Sequence, residues 1–289
     1  MSTDRPRRSA LYMPGSSPRA LEKARTLDAD VLLLDLEDAV APAAKEEARR
    51  LTLAAVVAGG YGQRELVIRV NGAGTPWGAG DLAAAARSGA DAVLLPKVES
   101  AEEVTWAERA LRAAGAPEAL ALWAMVETPR GVLAAPAIAA ATPRLACLVA
   151  GTSDLVMGLG ARHTPGRAEV LTALSLIVLA ARAHQLTCLD GVHLELSDQA
   201  GFEGQCRQGR DLGFDGKTLI HPKTIAAANL AFAPSVEEVE AARRILVAHA
   251  EAESFGKGVV VVDGRLVEAL HVEAARRLLA LAGAIAARA

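Results

Sequence analysis

Eight short apolar runs, each followed by a stretch with helical spacing, limit what this chain can fold into. The runs are Ser9–Met13, Val31–Leu36, Leu66–Val70, Ala92–Leu95, Leu120–Val126, Leu145–Ala150, Thr187–Val192 and Thr218–Ile220. Between them, stretches such as Pro18–Leu27, Ala43–Ala58, Asp81–Arg87 and Ala101–Ala113 carry charged faces at helical period. Asp81 and Ser100 read as helix N-caps. Glycines at Gly59-Gly60, Gly89, Gly115 and Gly213 fall where helices should end. Repeated β-then-α units imply a parallel sheet with right-handed crossovers, and about eight of them fit a closed (β/α)8 TIM barrel. The competing open, doubly wound sheet calls for G-x-G-x-x-G after the first strand. Pro14-Gly15-Ser16-Ser17-Pro18 lacks that spacing, and Gly158-Leu159-Gly160 lacks the third glycine. The expected architecture is therefore an α/β barrel over residues 1–230, with residues 231–289 as a C-terminal helical and hairpin extension.

In that tail, Pro234–Glu253 reads as a charged amphipathic helix and Phe255-Gly-Lys-Gly258 as a break. Val259–Val262 is a short β run into the Asp263-Gly264 turn, and Val272–Ala287 is an alanine-rich final helix. An oligomer contact is its expected role. A chain of 289 residues can bury a large core. A net charge of −3 and a pI near 6.1 offer no electrostatic reason to expect nucleic acid or an anionic membrane. No uncharged apolar run approaches the roughly 18 residues of a membrane span, and no apolar signal core follows the charged start. Cys147, Cys188 and Cys206 are odd in number, far apart and outside any C-x-x-C pair. They read as reduced thiols in a cytoplasmic protein.

A barrel gathers the residues at the carboxyl ends of its strands around one mouth. Those ends offer Asp35, Glu37 and Asp38; Arg69 and Asn71; Lys97 and Glu99; Glu127; Asp154; Asp190 and His193; and His221. Glu127 and Asp154 each end an apolar run with glycine nearby, an arrangement that suits a hard cation such as Mg²⁺. The plain alternatives are a surface salt bridge for Glu127 and a helix cap for Asp154. Asp35 lies within an apolar run and should have a cationic or hydrogen-bonding partner. Arg69 is suited to grip a carboxylate with two nitrogens. Glu37 and Asp38 would either support metal ligands from behind or cap the next helix.

Together these residues carry a pattern. Leu11-Tyr-Met-Pro-Gly15, Asp35-Leu-Glu-Asp-Ala-Val40, Arg69-Val-Asn71 and Leu95-Pro-Lys-Val-Glu99 are followed by Val126-Glu-Thr-Pro-Arg-Gly131. Gly151-Thr-Ser-Asp-Leu155, Gly213-Phe-Asp-Gly-Lys217 and Ile220-His-Pro222 complete the series. The chain resembles the HpcH/HpaI aldolase–citrate lyase family, specifically citrate lyase beta subunits with malyl-CoA and citramalyl-CoA lyases. The resemblance implies a Mg²⁺-dependent barrel acting on CoA or acyl-carrier thioesters. It implies Glu127 and Asp154 as metal ligands, Arg69 on the substrate, and Asp263 contributed across a subunit interface to a neighbour's site. Arg69, Glu127, Lys97, Gly151, Thr152 and Pro14 are the expected substrate-binding set, and Asp35, Glu37 and Asp38 the supporting one. Arg69, Glu127 and Asp263 are the expected catalytic residues. Two departures bear on substrate choice: Ser153 stands where the family often has a glutamate, and Glu268 and Leu270 replace an aspartate and a proline.

The expected reaction is cleavage of a 3-hydroxyacyl thioester to acetyl-CoA and a 2-oxoacid. A citryl thioester giving oxaloacetate comes first. A malyl-CoA or citramalyl-CoA lyase, or a malyl-CoA thioesterase or malate-synthase-like activity, is the alternative. The expected assembly is a homotrimer or hexamer, with citrate lyase alpha and gamma subunits as further candidate partners. A non-catalytic scaffold within a lyase complex is the reading from outside enzymology. The four residues Glu127, Asp154, Arg69 and Asp263 speak against it, since a scaffold does not need them.

Overall fold

A computed structural model describes residues 5–254 and 258–288; part of the tail break at Phe255-Gly-Lys-Gly258 and the start of the chain lie outside them. In chain order the larger unit comprises β1 (Ser9–Pro14), α1 (Pro18–Ala24), β2 (Val31–Asp35), α2 (Lys45–Ala58), β3 (Glu65–Arg69) and α3 (Gly78–Ala85). It continues with β4 (Ala92–Leu95), α4 (Ala101–Ala113), β5 (Ala121–Val126), α5 (Pro129–Ala139), β6 (Leu145–Ala150) and α6 (Thr152–Gly158). It closes with α7 (Leu171–Ala183), β7 (Thr187–Asp190), α8 (Gln199–Leu212), β8 (Gly216–Leu219) and α9 (Ile225–Phe232). The eight strands pair in sequence order, all parallel, and β8 returns to β1 through Ala10 opposite Thr218. The chain is a closed (β/α)8 barrel.

Strand side chains alternate between two apolar clusters. Ala10, Val31, Leu33, Val67, Leu94, Trp123 and Leu189 fill the barrel interior. Their neighbours Leu11, Leu32, Leu34, Ile68, Val93, Leu122 and Cys188 pack with helix residues such as Leu82, Leu111 and Ile177. This two-residue period decides which polar residues at the strand ends look into the mouth. Ser100 caps α4, its side chain accepting from the Glu103 N–H. Asp81 does not cap. It lies inside α3 and is buried, accepting from Arg49 Nε at 2.6 Å and Asn71 Nδ2 at 2.6 Å. α8 ends at Gly213, whose φ of 99° is one that L side chains rarely adopt.

The chain divides into two compact units, Arg7–Phe232 and a smaller one of Met1–Pro6 with Ala233–Ala289. In the smaller unit α10 (Val236–Ser254) packs on α11 (Ala269–Ala286), and β9 (Val260–Val262) pairs antiparallel with β10 (Arg265–Val267). α11 starts three residues before the apolar run suggests, because the Glu268 N–H donates to His271 Nδ1 at 3.1 Å. Leu270 is therefore helical.

Candidate active site at the carboxyl end of the barrel

Four strands deliver the mouth by the same alternation. Asp35 follows Leu33, Arg69 follows Val67, Tyr12 follows Ala10, and Glu127 follows Trp123 and Met125 at two-residue steps. Glu127 is 2% exposed, which excludes a surface salt bridge. Its Oε1 accepts the Lys97 N–H at 2.8 Å. Gly151 presses on its other side: a Cβ there would lie 2.3 Å from Glu127 Cβ and 2.5 Å from Oε2. Thr128 then caps α5, accepting from the Gly131 N–H at 3.0 Å, so the carboxylate stands on a rigid strand-to-helix joint. Burial pushes the Glu127 carboxyl up to about 7, against the Lys97 N–H and with the added charge of Asp154.

Asp154 sits in the first turn of α6 and is not its N-cap, which is Gly151. Its half-buried carboxylate lies 3.5 Å from Lys97 Nζ. That ammonium also pairs with Glu37 at 2.5 Å and Asp38 at 3.5 Å. Lys97 takes a φ of 49° to do so, a backbone conformation rare outside glycine and often found at functional sites. Asp35 has the cationic partner its burial demands. Arg69 Nε and Nη2 both donate to it at 2.7 Å. The two-nitrogen grip expected for a substrate carboxylate is thus taken by Asp35, leaving Nη1. That nitrogen lies 2.9 Å from Glu37 Oε2 without hydrogen-bond alignment. Glu37 and Asp38 cap nothing, since the next helical turn starts at Pro42 with Ala41 as its cap. The five carboxyl groups Asp35, Glu37, Asp38, Glu127 and Asp154 thus face two cations, Arg69 and Lys97, so the mouth holds more acids than bases, and burial with the Asp154 charge beside it raises Glu127.

A family model for HpcH/HpaI aldolase/citrate lyase matches residues 8–222. The chain belongs to that family. It is 51% identical to the (3S)-malyl-CoA thioesterase of Cereibacter sphaeroides over 98% of this chain and 96% of that one. It is 36% identical to citrate lyase subunit beta of Escherichia coli, over 96% and 94%. Among solved structures, the CitE protein of Mycobacterium tuberculosis in complex with magnesium, acetoacetate and coenzyme A superposes with a TM-score of 0.76. That protein is 34% identical, with 95% of this chain and 97% of that one covered. The relatives named as enzymes act on, or are subunits acting in, thioester and citrate chemistry.

Of the other residues expected from the family motifs, Pro14 ends β1 opposite Asp35. Thr152 opens α6, its hydroxyl 3.4 Å from the Val192 carbonyl. Asp263 belongs to the smaller unit. It occupies the β9–β10 turn at a φ of 50° and pairs there with Arg244 at 3.0 Å. Several strand-end residues serve elsewhere. Asn71 donates to the Leu36 carbonyl and Asp81, Glu99 lies 3.5 Å from Arg130, and His221 Nδ1 accepts from the Lys223 N–H. Asp190 follows the inward-facing Leu189, so its side chain turns out toward α8. There it is fully buried between Arg167 Nη1 at 2.7 Å and Lys217 Nζ at 2.9 Å. His193 lines a separate cavity of about 260 Å³ with Thr152, His163 and Arg167. Tyr12, Met125, Arg167 and Lys217 were not among the residues expected from the strand ends; Arg167 lies in the loop between α6 and α7. The inward parity of Tyr12 and Met125 was the available signal.

Proposed function

We propose that this chain is a Mg²⁺-dependent enzyme of 3-hydroxyacyl-CoA thioesters, with a malyl-CoA-like substrate ahead of a citryl one. The observation that carries this is the adjacency of buried Glu127 and half-buried Asp154 at the mouth, with Arg69 Nη1 reaching toward Glu37 and Met125 from β3. The residues fit the ion. Mg²⁺ is usually held by one or two carboxylates plus waters and substrate rather than by an all-protein cage. Among the described residues no group of three or more His, Cys, Asp or Glu forms such a cage. A divalent charge would also favour the ionised form of Glu127, which burial and Asp154 otherwise disfavour. The magnesium complex of the similar M. tuberculosis CitE supports the same reading.

Glu127 and Asp154 would hold the ion. Bound there, Mg²⁺ supplies Lewis acidity and a template for the substrate's hydroxyl and carboxylate oxygens. Lys97, with its N–H on Glu127, fixes that ligand's orientation, while its ammonium and Arg69 hold Glu37 and Asp38 behind it. Gly151 borders the substrate with no side chain against Glu127, Thr152 follows it with its hydroxyl toward Val192, and Pro14 shapes the rim beside Asp35. Arg69 Nη1 bears on the developing negative charge. Asp263 of a neighbouring subunit takes the substrate's hydroxyl proton, so the bond between the hydroxyl carbon and the carbon beside the thioester can break. The products are a 2-oxoacid and, after reprotonation, acetyl-CoA. In the hydrolytic variant, water attacks the thioester carbonyl and frees the CoA thiol.

The likeness to malyl-CoA thioesterases over nearly the whole chain favours malyl-CoA. The weaker likeness to citrate lyase beta subunits keeps a citryl thioester, with alpha and gamma partner subunits and a protein-bound carrier, as the second reading. Malyl-, citramalyl- and citryl-CoA are incubated with Mg²⁺, and released oxoacid and free thiol are scored separately. Oxoacid without thiol identifies a lyase, and thiol without oxoacid a thioesterase. No Mg²⁺-dependent product from any of the three overturns the proposal and favours a scaffold.

A further inference from the structure

Beneath Arg69 two strong hydrogen-bond donors converge on one weak acceptor. Tyr12 reaches across the interior from β1 to β5, where its hydroxyl lies 3.6 Å from Met125 Sδ. The Arg69 Cζ stacks 4.7 Å from the centre of the Tyr12 ring, and Arg69 Nη1 lies 4.0 Å from the same sulfur. A thioether accepts hydrogen bonds weakly. Among the described residues the phenol has no oxygen or nitrogen partner. Nη1 has only the misaligned Glu37 oxygen and, at 3.6 Å, exposed Asp38.

Burial raises the phenol's pKa more than the Arg69 charge lowers it, so the hydroxyl keeps its proton and remains a donor. Met125 is unbranched and adaptable. Residue 151 is glycine, and a Cβ there would come within 3.0 Å of Met125 Cε, so the glycine leaves the thioether room that any larger residue would remove. A better acceptor can therefore take the sulfur's position.

We propose that Tyr12 is a catalytic residue of this site, its O–H and Arg69 Nη1–H together donating to the thioester carbonyl oxygen near the point now marked by Met125 Sδ. The inference rests on the thioester reading above. In carbon–carbon cleavage, the electron pair of the broken bond moves toward the thioester and its carbonyl oxygen becomes the enolate oxygen. In hydrolysis, the carbonyl π pair moves onto the same oxygen as water adds. In both cases the Tyr12 hydroxyl shares its hydrogen without giving it up. In cleavage the proton taken from the substrate's hydroxyl returns to the enolate carbon. In hydrolysis a proton of the attacking water leaves on the CoA thiol, and neither route needs an oxidant or reductant.

Tyr12→Phe separates ring from hydroxyl, because the phenyl still stacks under Arg69. With malyl-CoA and Mg²⁺ its kcat should fall about 100-fold, the usual loss for one such donor, with KM changed less than about threefold. A second measurement does not depend on turnover. Tyr12 and Tyr61 are the chain's two tyrosines, so a Tyr61→Phe protein labelled with ζ-¹³C tyrosine reports Tyr12 alone. Acetyl-CoA with Mg²⁺ should shift that resonance, and Tyr12→Phe should bind acetyl-CoA about fivefold more weakly, as for a lost neutral hydrogen bond. Wild-type kcat in Tyr12→Phe overturns the inference while leaving the thioester reading intact. A resonance unmoved by acetyl-CoA overturns it as well. If none of the thioesters turns over, the functional reading fails and the labelled-tyrosine titration still decides Tyr12.

Discussion

At the scale of single residues, the mouth depends on contacts that allow no extra atoms. Gly151 is the sharpest case, since its missing Cβ makes room for the Glu127 carboxylate. Gly151→Ala should leave the far-ultraviolet circular dichroism unchanged. It should nevertheless lower Mg²⁺ affinity, read by calorimetry, at least about tenfold, as losses of groups that orient metal ligands do. Wild-type affinity in that variant would show that Glu127 is not a ligand or is free to move. Arg69 is a different case, because Asp35 depends on it as much as any substrate would. Arg69→Ala should cost about 3–5 kcal/mol in chemical denaturation, through the buried carboxylate left behind. Loss of activity in that variant would therefore not isolate a catalytic role.

At the scale of elements, one step along a strand separates the mouth from the wall. β7 turns Leu189 inward and Asp190 outward, so the acid expected at the site instead ties Arg167 and Lys217 against α8. Burial alone would raise the Asp190 carboxyl, but the two cations hold it below the usual carboxylate range. A depressed folded-state pKa contributes stability that is present above the unfolded value of about 3.9 and lost as pH falls through the folded one. Wild-type protein should lose stability below about pH 4, and Asp190→Asn should show a flatter acid limb. At neutral pH the same variant should be destabilised by about 3–5 kcal/mol, because two buried cations lose their counter-charge. Equal urea midpoints for the two proteins at pH 7 would mean that water or a rearranged side chain replaces the carboxylate.

At the scale of the whole molecule, the proposed role of the smaller unit's Asp263 is open to a direct test. Asp263 stands in a tight turn with its carboxylate on Arg244, a weak exposed pair that is readily exchanged for another partner. If sites are shared between subunits, mixing Glu127→Gln with Asp263→Asn chains should restore part of the activity absent from each alone. Glu127→Gln suits this test better than Arg69→Ala, which would also strip Asp35. Mixed oligomers confirmed by mass spectrometry but without activity would place Asp263 in its own chain's site or outside any site.

The closed barrel was legible in the sequence alone, together with a set of strand-end polar residues that also included Asp190 and Glu99. Hydrophobic periodicity and strand-end position are local properties, so Glu127, Asp154, Arg69 and Asp35 could be picked out residue by residue. The tertiary structure decided which charges meet. It gave the two nitrogens of Arg69 to Asp35, sent Asp190 to Lys217 on the outer face, and pulled Asp81 inside α3 toward Arg49. It also laid the Tyr12 hydroxyl across the barrel against Met125. Those pairings join side chains tens to more than a hundred residues apart, and their geometry depends on barrel closure and strand register. No spacing along the chain encodes either quantity.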